Sequence, residues 1–299
     1  MDTCILWYWN KYLYNILKNK IMKKILGLIF LVIIALFGCD KVEPPYTQQN
    51  TNTDTTINNN VKRVLIEEFT GHLCQNCPEA SHIAENLQQL YPGKITIIAI
   101  HSGNFANLVS PNYMTDFRTE EGNILNTSFG VNTYPSGMVD RVKLLGSQLI
   151  SPNEWGSIVN DRLSEQLTVN ISITTQYNEL NRNFNCTINT DILSPFDSPL
   201  MLVALFTEDS IIDYQKNNNP LYGSTPDIPD YVHNHVLRGS ITNIWGDTIC
   251  ANCLANDSYE KTYNYTLSNE WDEDNVNIVV YCYDAETQEI RQVIEQRIR

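Results

Sequence analysis

The chain has 299 residues, 42% of them hydrophobic, which is enough for more than one core, and its 34 acidic against 20 basic side chains give a net charge of −14. Residues 1–38 hold five Lys and a single acidic residue, so the remainder carries 15 basic and 33 acidic side chains, a net −18. Such a surface repels phosphate backbones and argues against nucleic acid as a partner.

The one long apolar run, Ile25 to Phe37, follows Met22-Lys23-Lys24 and ends at Leu36-Phe37-Gly38-Cys39. It is short for a membrane span and has the anatomy of a secretory signal: basic start, apolar middle, small residue before the cut. Met22 is the expected true start, because the aromatic and Lys residues before it do not form the n-region of a signal. Residues 1–38 then resemble a bacterial lipoprotein signal, with Leu36 and Gly38 in its lipobox and a bulky Phe37 between them. The resemblance implies acylation at Cys39; an uncleaved anchor helix is the alternative. Both readings leave the remainder outside the cytoplasm and on a membrane. Residues 39–60 are polar, Asn- and Thr-rich and without apolar period, a flexible tether with a reach of roughly 25 Å.

From Val61 the pattern changes. Val64 and Ile66 belong to a β-branched run that Thr70-Gly71-His72 ends, and Pro78 suits the first turn of a helix. Cys74 and Cys77 therefore meet a helix N-terminus, where unpaired N–H groups and the dipole favour a thiolate. Cys74 is expected to be the more exposed of the two and the nucleophile. Ile83, Leu87 and Leu90 continue the helix to Pro92-Gly93, and Lys94 to Ile100 reads as a buried strand. This βαβ unit puts His101 at the sheet edge where catalytic groups gather. Pro111 to Leu125 reads as a partly helical connection, and Asn153 to Leu167 as a helix with Trp155, Ile158, Val159, Leu163 and Leu167 on one face and Ser151-Pro152 ahead as its start signal.

Residues 61–167 resemble a thioredoxin-fold domain. Three features carry the resemblance: the Cys-x-x-Cys between strand and helix, Glu68 six residues before Cys74, and Tyr134-Pro135 as the cis-proline loop. The family implies a buried acid at Glu68 and substrate contact at Pro135. Glu67 and Glu68 point to opposite sides of a strand, so only one lies under the cysteines. Leu73 and Gln75-Asn76 depart from the family pattern and leave the redox potential open. A structural disulfide and a zinc site remain alternatives for Cys74 and Cys77. His72 and His101 are expected to be solvent-exposed loop residues by default, with His101 the better candidate for tuning the thiolate or relaying protons.

Residues 168–299 alternate in short runs separated by Asn, Asp, Pro and Gly, the texture of an all-β sandwich. A polar, turn-rich insert at 212–253 reads as a long loop, functional or mobile. It holds His233, His235 and a second pair, Cys250 and Cys253, more readily a local disulfide than a zinc site in an exported protein. Cys186 and Cys282 face a core, bridged or free. The whole mature chain resembles the Omp28-related outer-membrane lipoproteins of Gram-negative bacteria. LIEEFTGHLCQNCP at Leu65 to Pro78, TYPSGMVDR at Thr133 to Arg141 and HNHVLR at His233 to Arg238 carry it. The resemblance implies an α/β thioredoxin-like domain followed by an immunoglobulin-like β-sandwich domain, in an envelope lipoprotein of the outer membrane. The expected activity is thiol–disulfide exchange on exported proteins, with Cys74, Cys77, Glu68, Pro135 and His101 as site residues and neither cofactor nor metal. The rival is a surface binding or adhesion lipoprotein in which the Cys-x-x-Cys is a staple.

Overall fold

The computed structural model of the protein describes residues 61–299. Cys39, the signal segment and the tether lie outside the described residues. In chain order the elements are β1 (Val64–Thr70), α1 (Cys77–Leu90), β2 (Ile95–His101), a 3-10 turn (Asn104–Ala106), α2 (Glu120–Phe129), β3 (Ser136–Val139) and α3 (Pro152–Leu163). Ten strands follow: β4 (Val169–Asn178), β5 (Asn183–Ile192), β6 (Leu200–Glu208), β7 (Ile211–Lys216), β8 (Asp227–His233), β9 (Val236–Ser240), β10 (Asp247–Cys250), β11 (Ser258–Thr266), β12 (Val276–Asp284) and β13 (Ile290–Arg297). The described residues are thus mostly β, with one mixed and two antiparallel sheets.

The change of texture at residue 168 does not interrupt the main sheet. Its order is β13-β12-β6-β9-β2-β1-β3, with β10 beside β6, so it draws strands from both sides of that point. The link is β9, antiparallel to β6 and parallel to β2, where the Ala99 N–H donates to the His235 carbonyl at 2.8 Å. Strand alternation then explains the two textures. Leu65 and Phe69 of β1, Val203 and Leu205 of β6, and Val279 and Tyr281 of β12 share one hydrophobic cluster on one face. The alternate residues belong to two other clusters. Val64 and Ile66 pack under α1 and α3, while Leu202, Ala204, Ile278 and Val280 pack under the sheet β11-β5-β4. One sheet carries a helical cover at one end and a β cover at the other, and the composition follows the cover.

Two predicted helices shift. The helix after Pro111 begins only at Glu120, where Thr119 caps it by accepting from the Gly122 N–H at 3.0 Å. The last helix ends at Leu163 rather than Leu167. There Trp155 is fully buried against β3, and a Cβ on Gly137 would lie 2.6 Å from its ring, so only glycine lets α3 approach that closely.

The loop after β3 fastens the sheet. Asp140 and Arg141 both take left-handed backbone, φ 46° and 54°, an arrangement that costs on the order of 1–2 kcal/mol per residue. Buried polar contacts offset it. Asp140 accepts from the Leu65 N–H at 2.9 Å, from Lys62 Nζ at 2.6 Å and from Arg162 Nε at 3.0 Å. Arg141, fully buried, grips Glu67 of β1 through Nε at 2.7 Å and Nη2 at 2.6 Å, and donates to the Tyr281 hydroxyl of β12 at 2.9 Å. Burial alone would pull its pKa down, but the Glu67 carboxylate holds the guanidinium above its ordinary value.

Candidate functional site

Strand β1 delivers the chain to a tight turn at Gly71. Its Cα has backbone packed on it: a Cβ would fall 2.5 Å from the Phe105 carbonyl group, and the Leu73 N–H donates to the Phe105 oxygen at 2.9 Å. Cys74 follows in that turn, its N–H bonded to the Gly71 carbonyl at 2.9 Å, and Cys77 opens α1 with Pro78 in the first turn. The two form a disulfide, Cα to Cα 5.4 Å. Both are buried, Cys74 at 2% exposure and Cys77 at 1%, so the expected difference in exposure is absent.

The cover comes from the insert. Residues 212–253 are a set of strands, not a loop, and β7 and β8 form a hairpin over the Cys turn. Gln215, itself buried, donates its amide Nε2 to the Cys74 carbonyl at 2.9 Å and to the Gly71 carbonyl at 3.4 Å. The Lys216 N–H donates to the His72 carbonyl at 2.8 Å and the Asn218 N–H to the Gln75 carbonyl at 3.2 Å. Asn76 occupies the N-cap of α1, yet its side chain makes no cap bond; it accepts instead from Asn218 Nδ2 at 2.7 Å. Buried Asn217 ties the hairpin tip through the carbonyls of Asn219, Gly223 and Ser224.

Beneath the turn lies Glu68. It is 1% exposed on the helix side of β1, while Glu67 faces the opposite way toward Arg141. Ser81 donates to Glu68 Oε1 at 2.9 Å, and Ser81 stands one turn after Cys77 on the same face of α1. Burial raises the Glu68 pKa to about 8, because no cation compensates the loss of water. Pro135, with its cis peptide bond to Tyr134, precedes β3, whose Ser136 pairs with Phe69 at the end of β1. The Tyr134 hydroxyl meets Ser102 Oγ at 3.2 Å and also contacts Asn126.

Both loop histidines are buried, against the expectation of exposure. His72 at 1% meets the rings of Tyr113 and Phe117, its Nε2 2.9 Å from the Asn107 carbonyl. His101 at 4% packs on Phe117 and on His233 of β8, ring centroids 5.5 Å apart. Burial lowers the pKa of His101 and of His233, the latter to about 4. Glu68, His101, Gln215, Tyr231 and His233 line one small cavity. The structure thus gathers Glu68 and His101 at this cavity and sets Cys74, Cys77 and Pro135 around the end of β1. Gln215, Tyr231, His233 and Ser81 were not anticipated here. The HNHVLR run marked its stretch as special, and Ser81 stands at helical spacing from Cys77; nothing in the sequence announced Gln215 or Tyr231.

The remaining cysteines separate cleanly. Cys250 and Cys253 form a second disulfide, and Cys186 and Cys282 are buried free thiols whose pKa burial raises to about 11 and about 12. Among the described residues no group of three or more His, Cys, Asp or Glu is placed to hold a metal ion. His235 also lines the cavity, with its Nδ1 3.4 Å from a carboxylate oxygen of Asp209.

Removing the Gln215 amide strands two buried carbonyls, worth about 1–3 kcal/mol. Gln215→Ala is expected to speed reduction of Cys74–Cys77 by a soluble phosphine roughly tenfold, by loosening the hairpin. Cys250–Cys253 should keep its rate in the same molecule, as read by thiol alkylation and mass spectrometry; equal rates with and without Gln215 would refute this.

Fold and site together define a mostly β protein carrying a covered Cys-x-x-Cys disulfide at one end of a mixed sheet. The chain belongs to the outer membrane protein Omp28 family, whose model matches residues 123–299. The family places it at the outer membrane of the cell envelope. Among solved structures it is similar to HBP35 of Porphyromonas gingivalis, with TM-score 0.61 and 16% identity over 80% of this chain and 76% of that one. A protein of Agrobacterium tumefaciens matches with TM-score 0.48 and 12% identity, over 80% of this chain and 96% of that one. A domain of the outer membrane lipoprotein Omp28 from Porphyromonas gingivalis matches with TM-score 0.31 and 22% identity, over 44% of this chain and 88% of that one. No curated protein matches the chain.

Proposed function

We propose that the protein is a lipid-anchored envelope protein that performs thiol–disulfide exchange on exported proteins, with Cys39 as the anchor and residues 61–167 as a thioredoxin-like unit beside an immunoglobulin-like one at 168–299. The observation that carries it is the Cys74–Cys77 disulfide at the start of α1 with buried Glu68 beneath it. The cis Tyr134–Pro135 bond next to the end of β1 supports the same reading.

A substrate thiolate attacks Cys74 Sγ, forming a mixed disulfide and breaking the Cys74–Cys77 bond, and Cys77 leaves as a thiolate that takes up a proton. A second substrate thiolate attacks the substrate sulfur of the mixed disulfide and expels Cys74, which is protonated in turn. Two electrons and two protons pass from substrate to the pair, and exchange with a disulfide-bearing partner restores it. Cys74→Ser and Cys77→Ser are expected to abolish oxidation of a reduced protein substrate by the purified chain. Activity equal to the parent protein in Cys74→Ser would sink the reading.

The depth of the sulfurs favours a second reading, a surface binding or adhesion lipoprotein that uses the pair as a staple. It expects Cys74→Ser to keep partner binding and exchange of the 212–253 segment to lose it, measured on intact cells.

A further inference from the structure

The HNHVLR run belongs to the far half of the chain, yet its first histidine reaches the cavity beside the Cys turn. That cavity measures about 20 Å³, room for a single water. His233 lies 3% exposed and His101 4% exposed, and His233 Nε2 and His101 Nδ1 have no hydrogen-bond partner among the described residues. Burial disfavours the charged form of both rings, and a neutral imidazole has one acceptor nitrogen, a role open to each orphaned atom. On the third side stands Glu68, whose Oε1 is occupied by Ser81. Two orphaned buried acceptors would each cost about 1–3 kcal/mol, a cost one water removes.

We infer that this cavity is a water site built by Glu68, His101 and His233, in which the water donates its two hydrogens to the imidazoles and accepts the hydrogen of a protonated Glu68. His233 is then a positioning residue: it fixes which way the water points, and so holds the acid's proton in store beneath the cysteines. The use of that proton, to neutralise Cys77 as it leaves, rests on the exchange reading; the water site does not. The other ionisable groups facing the three are Glu85 and Tyr231 around Glu68, His72 and Arg238 around His101, Asp213 and His72 around His233, and His235, which lines the same cavity with Asp209 and Glu85 beside it.

Two experiments on the full chain test it. A crystal structure near atomic resolution should show one ordered water within hydrogen-bond distance of His101 Nδ1, His233 Nε2 and Glu68 Oε2; density without a water there overturns the inference and needs no variant. Glu68 ionisation, followed by carboxyl carbon NMR, should begin near the value of about 8 that burial sets. In His233→Phe, which fills the space but removes the acceptor, the water is free to turn a hydrogen toward the carboxylate, and the pKa falls by about one unit. His233→Gln, which keeps an acceptor, restores it. An unmoved value in His233→Phe means that the ring only fills space and refutes the positioning role. Loss of exchange activity is not read in either test, so an inactive protein with the water in place would refute the exchange reading alone.

Discussion

Arg141→Met is expected to destabilise the protein by about 3–5 kcal/mol, because it strands the Glu67 carboxylate in a site with 1% exposure. Glu67→Leu alone should cost a similar amount by leaving the guanidinium unpaired. The pair removed together should recover most of the loss, since two apolar residues of similar volume need no partner. Urea unfolding of the four proteins measures it, and single losses below about 1 kcal/mol would show that the grip on Glu67 and Tyr281 is not what fastens the sheet. The size of the effect follows from position. Arg141 binds β1 on one side and β12 on the other and lies 5.1 Å from the Phe129 ring centroid of α2, so one side chain spans the two ends of the sheet.

The second large effect is on the pH dependence of stability, and its sign follows from which way each pKa moves. Glu68 is raised in the fold, from an ordinary value of 4.5 to about 8. Its contribution is complete below 4.5 and is lost as pH rises to about 8, at about 1.4 kcal/mol per unit. His233 is depressed, from 6.5 to about 4, so its contribution is complete above 6.5 and is lost as pH falls toward 4. Relative to the parent, Glu68→Gln should therefore gain stability steadily between pH 4.5 and about 8, several kcal/mol in all, and His233→Phe should gain it as pH falls from 6.5 toward 4. Thermal unfolding from pH 4 to 9 reads both. Parallel curves for parent and Glu68→Gln would mean that the carboxyl is not buried neutral.

Much of the first half was legible because its burial is written in period. Val64, Ile66 and the run from Ile95 to Ile100 are apolar residues on strands covered on both faces, and Pro78 and Pro152 mark helix starts that the structure keeps. Strand parity set Glu67 and Glu68 on opposite faces, and the thioredoxin resemblance pointed to Glu68 as the one beneath the cysteines. The insert was illegible for the opposite reason. Strand β8 contains Pro229 and β9 contains Gly239, and β7 buries chiefly Gln215, whose partners are backbone carbonyls some 140 positions away. Such a strand has no apolar alternation to display. His72 and His101 read as exposed because a loop histidine has no local pattern; what buries them is Phe117 and the hairpin, both distant in sequence or outside any periodic element. Side-chain texture reports the cover of a sheet and not its hydrogen bonding, so the change at residue 168 marks a change of cover over the main sheet.

The Gln215 bond to Cys74 closes a span of 141 residues. A chain emerging amino end first at about 5–20 residues per second leaves its cysteine turn bare for roughly 7–28 s before the hairpin arrives. The two sulfurs are therefore laid down well before the strands that cover them, and closure of the hairpin is a late event in the assembly of this site.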